Sequence, residues 1–427
     1  MNEGLLSLAW EKKYFDVQNL RTIDDKPLNI LNPGTRNIHQ GPDFFHAQVV
    51  IDGIHWVGTV EIHVDGADWY RHRHDKDEYY NSVVLHVVHR PSLPPPVRAD
   101  GAYVPEFQLR PVFGEGVMAC YHEITSGQRE IPCVFDDNIA RIGENIAASW
   151  MEVMAEERFE AKSRACESLL QDADGDWEQA AWITLAGAFA GPANKEAFIA
   201  VARAVHRKYL ARSVDDKHAV IAMLLGASGM LPNQADSPYV KTLFEHWTHY
   251  ARKFEIASPP VSFSHLRMRP HAFPTVRWVQ LAALWEKAYG HARSLLDYCR
   301  KPRLIYEDCA QLVIDDYWKN RVKIGERGKS GVTLPGKDFL STILTNALYP
   351  VARLYAVEQQ KNEILEEWGR LFRSLPPENN LITRPFAESG FPNKHPLHSQ
   401  GIIHLKREYC LQKRCMECEI GRTILSR

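Results

Sequence analysis

The chain carries no strong net charge of either sign. Its 51 lysines and arginines almost balance its 53 aspartates and glutamates, which leaves a formal net charge of -2. The protein as a whole therefore lacks the strong positive potential that is typical of nucleic-acid-binding proteins. Any surface that binds nucleic acid has to be a local patch.

Long hydrophobic runs are also missing. No uninterrupted apolar stretch approaches the roughly 18 residues that a bilayer-spanning helix needs. The N-terminal stretch MNEGLLSLAWEKKYFDVQ lacks the basic start, apolar centre and small-residue cleavage site of a signal peptide. The sequence therefore predicts a cytoplasmic protein that does not associate with membranes.

Cysteine is sparse, and most of it is scattered. The chain has eight cysteines. In a reducing cytosol, isolated cysteines are expected to be buried thiols. The five isolated ones are Cys120, Cys133, Cys166, Cys299 and Cys309. The other three crowd the C-terminus.

The sequence divides into three regions with different residue patterns. A length of 427 residues predicts two or three domains, and 45% hydrophobic with 24% charged residues is an ordinary globular composition. Residues 1–135 mix helix and strand patterns, residues 136–375 have the periodicity of successive helices, and residues 376–427 form a loop-rich tail that contains the clustered cysteines. The predicted fold class is α/β plus all-α.

The N-terminal region is predicted to run helix, strand, strand, strand, helix, strand. The second and third strands, FFHAQVVI and IHWVGTVEIHV, flank the Asp52-Gly53 turn and form a hairpin. Asp43 stands at the start of the first hairpin strand, and Glu61 and His63 share one face of the second. The hairpin can therefore bring Asp43 and Glu61 together. Two carboxylates held close favour a cation between them, and Mg²⁺ is the natural candidate.

This order resembles the PD-(D/E)XK nuclease fold, a restriction-endonuclease-like family whose core is αβββαβ. GPDF supplies Pro42 and Asp43 at the Pro-Asp positions, and VEIH supplies Glu61, Ile62 and His63 at the (Asp/Glu)-x-Lys positions. The resemblance implies that Asp43 and Glu61 hold Mg²⁺ or Mn²⁺ with help from the main-chain carbonyl of Ile62. His63 stands where the family has lysine.

The implied activity is metal-dependent hydrolysis of phosphodiester bonds in DNA or RNA, with Asp43, Glu61 and His63 as catalytic residues. Histidine at the lysine position could be a cation or a base, because its unperturbed pKa is about 6.5. A first alternative is a binding module for nucleic acid or protein on a degenerate copy of the fold. A second is a hydrolase with zinc or iron at His63, His72 and His74.

Most of the chain also resembles an uncharacterised bacterial family, domain of unknown function 2851. The stretches that carry this resemblance are GPDF, GTVEIHVDGADWYRHRHDKDEYYNSVVLHVV, RPHAFPTVRWVQLAALW and YCLQKRCMECEIG. This second resemblance implies no activity.

Eight of the nineteen histidines fall within residues 39–89. HRHDKDEYY is comparable with the His-x-His-x-Asp-His motif of metallo-β-lactamase-like hydrolases, but Glu78 stands where the last histidine belongs. The longer stretch ADWYRHRHDKDEYYNSV, residues 67–83, is predicted to be a polar helix. Its His72 and His74 either face solvent or lie near the hairpin and contact phosphate or metal. His86, inside VVLHVV, is predicted to be a core or sheet-edge residue.

The C-terminal cysteines Cys410, Cys415 and Cys418 have the spacing C-x₄-C-x₂-C, which suits zinc or an iron–sulfur cluster. A closed site needs one more ligand, and the candidates are His404 nearby or a distant cysteine such as Cys309. Some nucleases of the resembled superfamily carry a cysteine-bound iron–sulfur cluster, and this is an analogy only. The alternative is three reduced thiols.

Two basic stretches of the helical region are candidate contacts for nucleic acid, the expected partner. HLRMRPHAFPTVRW precedes a helix N-terminus, where anions bind readily, and WKNRVKIGERGKSGVTLPGK is a basic loop. The GKS in this loop is not a P-loop, because that motif needs glycine at position 323. A solvated surface is the alternative for both stretches. The candidate contact residues are Arg267, Arg269, Arg277, Lys323, Arg327 and Lys329.

Overall fold

A computed structural model describes residues 2–37, 40–127, 129–134, 138–232, 234–235, 237–290 and 292–426, so the predicted boundary at residues 135 and 136 lies outside the described residues. The chain forms two compact units. Unit 1 comprises Met1–Trp150, Arg384–Pro392 and Ile403–Arg427, and unit 2 comprises Met151–Thr383 and Asn393–Ile402.

Unit 1 is built on a six-stranded mixed sheet. The strand order is β1-β3-β4-β5-β6, with β2 also paired to β3. The first, third and fourth strands are antiparallel neighbours, whereas the last three run parallel. The strands are β1 (Leu28–Asn32), β2 (Thr35–Arg36), β3 (Phe44–Ile51), β4 (Ile54–Asp65), β5 (Val83–Arg90) and β6 (Glu106–Gln108).

The predicted hairpin is present as β3 and β4. Asp52 and Gly53 join these strands with φ values of 51° and 80°. Positive φ at both positions is the conformation of a type I′ turn, which Asp-Gly favours. The predicted strands at VVLHVV and VPEFQLRPVF are present as β5 and the short β6.

Helices account for most of the remaining chain. They are α1 (Glu3–Lys12), α2 (Asp68–Arg71), α3 (Glu115–Ser126), α4 (Asn138–Ile142), α5 (Glu144–Asp172), α6 (Trp177–Ala190), α7 (Lys195–Ala204), α8 (Arg207–Ala211), α9 (Ala219–Ala227), α10 (Pro238–Lys253), α11 (Pro274–Gly290), α12 (Leu295–Arg300), α13 (Leu304–Ala310), α14 (Lys337–Ile343), α15 (Tyr349–Glu358), α16 (Asn362–Ser374), α17 (Thr383–Glu388), α18 (Pro396–His404) and α19 (Glu419–Leu425), with π-helical turns at Leu344–Leu348 and Leu405–Cys410.

One face of the sheet in unit 1 is apolar and is covered by α1. Side chains two apart on a strand share a face, so Val60 and Ile62 of β4 point to the same side. They belong to one buried cluster with Leu6 and Trp10 of α1. Trp10 is fully buried, and its indole N–H donates to the carbonyl of Pro33 at 2.9 Å. This face therefore forms the core of the unit.

The opposite face carries the intervening residues of the strands, which are polar. Glu61, His86 and Glu106 lie directly in register across β4, β5 and β6, and all three are buried. The segment between β4 and β5 covers this face with the buried rings of Trp69 and Tyr80. Trp69 lies 5.1 Å from His86 between ring centroids. The candidate site is therefore enclosed by this connection.

The predicted polar helix over residues 67–83 is present only in part. α2 is a single turn, and two 3₁₀ turns follow at His74–Lys76 and Glu78–Ser82. Arg73 has a left-handed φ of 63°, which ends the helical path. Asp77 then accepts a hydrogen bond from the N–H of Tyr79 and starts the second 3₁₀ turn. This irregular path buries His74 against Tyr80, with ring centroids 3.8 Å apart.

Unit 2 consists of helices and the loops that join them, and its described residues include no strand. Its core contains α9, in which every residue is buried. Aromatic pairs pack the core, including Trp182 against Trp285 edge to face and Phe198 stacked on Trp278. No helix among the described residues of either unit has the length and apolar character that crossing a bilayer requires.

Candidate functional site

The register of the hairpin brings the two predicted carboxylates together. Phe44 pairs with Val60, so Asp43, which precedes β3, falls beside Glu61. The N–H of Asp43 donates to Glu61 Oε2 at 3.1 Å, and the N–H of Ile62 donates to Asp43 Oδ2 at 2.9 Å. Each acid is therefore positioned by the main chain of the opposite strand. A ligand role for the carbonyl of Ile62 stays a prediction.

The electrostatics of the site show an excess of negative charge. Burial raises the pKa of Glu61 to about 8. Burial, and then the charge of Glu61, raise the pKa of Asp43 well above its usual range. Glu3 of α1 adds a third carboxyl, whose pKa is raised to about 7 by partial burial and by Asp43. Arginines Arg36 and Arg422 oppose the rise at Asp43 without cancelling it. These arginines therefore offset only part of the rise in the pKa of Asp43.

Two histidines lie near the other oxygen of Glu61, and a third lies beside one of them. Glu61 Oε1 lies 3.6 Å from His63 Nε2 and 3.4 Å from His74 Nε2. His63 Nε2 lies 3.2 Å from His72 Nδ1. One nitrogen from each of the three histidines lies within 4.8 Å of the others. The buried Nε2 of His74 has no hydrogen-bond partner.

These distances match the spacing of ligand atoms around a small metal ion. Ligands bound tetrahedrally at about 2.1 Å are about 3.4 Å from one another. The donor set combines a carboxylate oxygen with imidazole nitrogens, which suits zinc, iron or manganese better than it suits magnesium. One cation could bind both the Nε2 of His74, which has no hydrogen-bond partner, and the carboxyl group of Glu61. The residues present therefore fit a divalent metal.

A buried chain of contacts fixes the orientation of His63. His63 Nδ1 is 2.8 Å from His86 Nε2, and His86 Nδ1 is 2.9 Å from Glu106 Oε1. Burial lowers the pKa of both histidines, and that of His63 falls to about 2, so both are neutral. With its proton on Nδ1, beside Glu106 Oε1, His86 accepts a hydrogen bond at Nε2 from the N–H of His63 Nδ1. The lone pair of His63 Nε2 is left facing Glu61, as in a carboxylate–histidine–metal relay.

A neutral His63 differs in charge from the lysine of the PD-(D/E)XK nucleases that the N-terminal sequence resembles. The low pKa of this ring argues against a permanent cation, which is one of the two roles that the sequence left open. A group with a pKa of about 2 is also a weak base, because it has little affinity for a proton. His63 is suited to donate a lone pair to a metal.

A groove in unit 1 leads to Asp43. Its volume is about 470 Å³, and Glu3, Arg36, Lys413 and Arg414 are among the residues that line it. Arg36 also donates to the main-chain carbonyl of Glu417 at 3.2 Å, which ties the start of the sheet to the C-terminal segment. The groove thus combines acidic residues at one point with cationic side chains on its walls. Sequence reasoning missed Arg36, Lys413 and Arg414, which no motif marks.

The six basic residues predicted to contact nucleic acid all belong to unit 2. Arg267, Arg269, Arg327 and Lys329 are exposed. Lys323 lies over the ring of Phe273 at 5.2 Å. Their contact with nucleic acid stays a prediction.

Arg277 differs from the other five. Its guanidinium lies 3.6 Å from the ring centre of Phe339 and donates to Gln280. Burial lowers its pKa to about 10. This side chain is engaged in packing within unit 2.

The three C-terminal cysteines lie together in unit 1, and Cys133 joins them in lining one cavity. His404 is not among the residues that line this cavity, and Cys309 is buried in the core of unit 2. Sequence reasoning missed Cys133 as their neighbour. It also missed a second possible ligand group in unit 2, which consists of Glu152, His395 and His398 with donor atoms within 4.8 Å.

Comparison with known proteins identifies the family. A search of curated proteins found no match, and a search of solved structures found none either. The model of one protein family, described as "Protein of unknown function (DUF2851)", matches residues 3–381. Because this match spans most of the chain, including α1, the whole sheet and the helices of unit 2, the chain belongs to the DUF2851 family.

Proposed function

We propose that this protein is a metal-dependent nuclease that hydrolyses phosphodiester bonds in DNA or RNA on a PD-(D/E)XK-like core. One observation carries the proposal: Asp43 and Glu61 lie side by side, with raised pKa values, in a region whose adjoining groove has Arg36, Lys413 and Arg414 on its walls. Acids that need a cation, next to cations that suit a phosphate backbone, fit this substrate class.

The order of the elements also supports the PD-(D/E)XK-like assignment. The chain runs α1, three antiparallel strands β1, β3 and β4, then α2 and the parallel strand β5. This is the αβββαβ order of that fold, with the small β2 and β6 added. Asp43 precedes the second long strand, and Glu61 and His63 lie on the third.

Each residue of the site has a distinct part in the proposed reaction. A divalent ion bound here would polarise the phosphate and lower the pKa of a bound water. Asp43 and Glu61 would hold that ion, and their main-chain hydrogen bonds would keep them in place. His63 would complete the ligand set, because it is neutral and its Nε2 lone pair faces Glu61. Arg36 would neutralise the phosphate as it enters the groove.

The donor set favours Mn²⁺ over Mg²⁺ for this activity. Imidazole nitrogens bind Mn²⁺ and later transition ions, whereas Mg²⁺ prefers oxygen ligands and water. The eight cysteines are all unpaired, and we place the activity in the cytoplasm on that basis.

The proposal is tested with the purified full chain on single- and double-stranded DNA and RNA, in Mn²⁺ and in Mg²⁺. We expect cleavage that is faster in Mn²⁺ and that falls by a factor on the order of 10³ in Asp43→Asn. Asp65→Asn, which changes a carboxylate at the end of the same strand β4, is the matched control and is expected to leave the rate unchanged. Cleavage of no substrate, or cleavage that survives Asp43→Asn, would overturn the proposal.

A second candidate function is a hydrolase with zinc or iron at His63, His72 and His74. The observation that favours it is the grouping of these three ring nitrogens within 4.8 Å. Metal analysis separates the two candidates in a variant without the C-terminal cysteines. Zinc or iron that copurifies with this variant and is lost in His74→Ala supports the second candidate.

The basic residues that line the groove lead to a separate prediction about nucleic-acid binding. Lys413→Ala is expected to weaken nucleic-acid binding and to reduce the slope of log affinity against log salt concentration by about 1, because one phosphate contact is lost. Fluorescence anisotropy at several salt concentrations measures both quantities. Lys26→Ala removes an exposed lysine that pairs with Asp24 outside the groove, and it serves as the control. Equal slopes for the two variants would show that Lys413 does not contact the backbone.

A further inference from the structure

Four cysteines from distant parts of the sequence converge on one buried cavity in unit 1. Cys133, Cys410, Cys415 and Cys418 all line it, together with apolar neighbours such as Pro132 and Tyr409. Cys133, Cys415 and Cys418 are each only 7% exposed. Cys133 precedes Cys410 by more than 270 residues in the sequence, so the fold, rather than the local spacing, brings the fourth thiol to this place.

The main chain around the cavity is packed closely. Gly421 lies so near the carbonyl of Cys415 that a Cβ atom placed on it would be 2.2 Å from that oxygen. The N–H groups of Ile420 and Gly421 are directed at the sulfur of Cys418. The buried Nε1 of Trp150 has no hydrogen-bond partner of normal geometry, and it lies close enough to Cys418 to affect that thiol. Donors that surround a buried sulfur stabilise a thiolate, which is the form that binds metal.

The four thiols line one cavity in unit 1, and a metal bound there would displace their protons.

We propose that Cys133, Cys410, Cys415 and Cys418 are the four ligands of an iron–sulfur cluster. Four buried thiols around one cavity match the Cys₄ ligand set of such clusters. This proposal does not depend on the nuclease activity, since none of the four cysteines lies at the carboxylate site. The cluster joins the segment that follows α3 to the C-terminal segment within unit 1.

The spacing of the sulfurs distinguishes a cluster from a single zinc ion. Four sulfurs bound at about 2.3 Å to one zinc ion are about 3.8 Å from one another. Among the residues that the structure describes, the groups with three or more potential ligand atoms within 4.8 Å are formed by histidine and glutamate residues and include no cysteine. The sulfurs are therefore set wider apart than zinc requires.

The test uses the full chain, produced with iron available and purified without oxygen. Iron, zinc and acid-labile sulfide are measured per chain, and visible absorption and electron paramagnetic resonance spectra are recorded before and after reduction with dithionite. We expect iron and sulfide in equal amounts, with visible absorption that bleaches on reduction. The sulfide measurement separates a cluster from iron held by the histidines of the other site. One zinc ion per chain without sulfide, or no metal, would overturn the proposal.

Two variants and a matched control locate the ligands. Cys133→Ser and Cys418→Ser are each expected to lose most of the iron and sulfide. Cys120→Ser changes a cysteine of α3 that does not line the cavity, and it is expected to keep the wild-type metal content. Equal loss from Cys120→Ser and Cys133→Ser, or full retention in Cys133→Ser, would contradict the assignment of ligands. The metal content of the unaltered chain decides the proposal even if a cysteine variant fails to fold.

Discussion

Replacing Glu61 with glutamine is expected to stabilise the metal-free protein and, at the same time, to abolish its response to divalent metal. Glu61 is 6% exposed, and its pKa is about 8 in the folded protein. The charged form is therefore disfavoured by folding, and ionisation at neutral pH destabilises the native state. Glutamine keeps the shape of the side chain, and its carbonyl can still accept from the N–H of Asp43. It carries no charge that folding must bury.

The sign and the pH window of this effect follow from the shifted pKa. A carboxyl whose pKa is higher in the folded than in the unfolded state binds its proton more tightly when folded. The metal-free wild type should therefore be most stable below about pH 4.5 and should lose stability as the pH rises towards 8. At pH 7 the loss due to Glu61 is on the order of 3 kcal/mol. Glu61→Gln should lack this part of the pH dependence.

Chemical unfolding at several pH values, with and without Mn²⁺, measures both parts of the prediction. Metal that binds only the folded state stabilises the wild type by RT ln(1 + [metal]/Kd), and Glu61→Gln should show no such gain. Asp65→Asn is the control, because that carboxylate pairs with Arg90 on the surface. A Glu61→Gln protein that is less stable than wild type at pH 7 would mark Glu61 as a structural residue and contradict the metal site.

The pairing of Asp43 with Glu61 could be predicted because it depends on local rules. The Asp52-Gly53 turn fixes the register of the hairpin, and a fixed register decides which residues of the two strands are neighbours. The two-residue period of a strand then puts Glu61 and His63 on one face. These rules need only the hairpin sequence. The observed pairing of Phe44 with Val60 is shifted by one residue from the register that the turn sets, because a bulge lies between Phe44 and Ala47, and no local rule marks that bulge.

The other residues near the site could not be placed from the sequence, because they depend on tertiary structure. His74 reaches Glu61 only because the predicted helix is interrupted at Arg73, whose left-handed backbone no periodicity marks. Glu106 reaches His86 through a parallel pairing between β5 and β6, across a proline-rich loop. Cys133 meets the C-terminal cysteines through contacts of high sequence separation. Local patterns therefore predicted the carboxylate pair but not the groups that surround it.

The second large prediction concerns Glu106. Its replacement by glutamine should destabilise the protein, whereas Glu61→Gln should stabilise it. Glu106 and Glu61 are buried on one face of the sheet, on either side of His86 in the cross-strand register. Each carboxyl oxygen of Glu106 lies near a different nitrogen. Oε1 lies 2.9 Å from His86 Nδ1, and Oε2 accepts from the N–H of Ser92. An amide has one oxygen and one NH₂ group, so glutamine cannot accept from both donors.

Glu106→Gln is therefore expected to destabilise the protein by about 1–3 kcal/mol, since a buried donor loses its acceptor. It should also weaken metal binding by about 10- to 100-fold without touching Asp43 or Glu61, because the tautomer of His86, and through it the lone pair of His63, is no longer fixed. Unfolding in denaturant measures the first effect, and a titration with Mn²⁺ or Zn²⁺ measures the second. Glu61→Gln, with its opposite change in stability, is the matched comparison on the same face. Unchanged metal affinity in a folded Glu106→Gln protein would show that the chain from Glu106 through His86 to His63 does not orient a ligand.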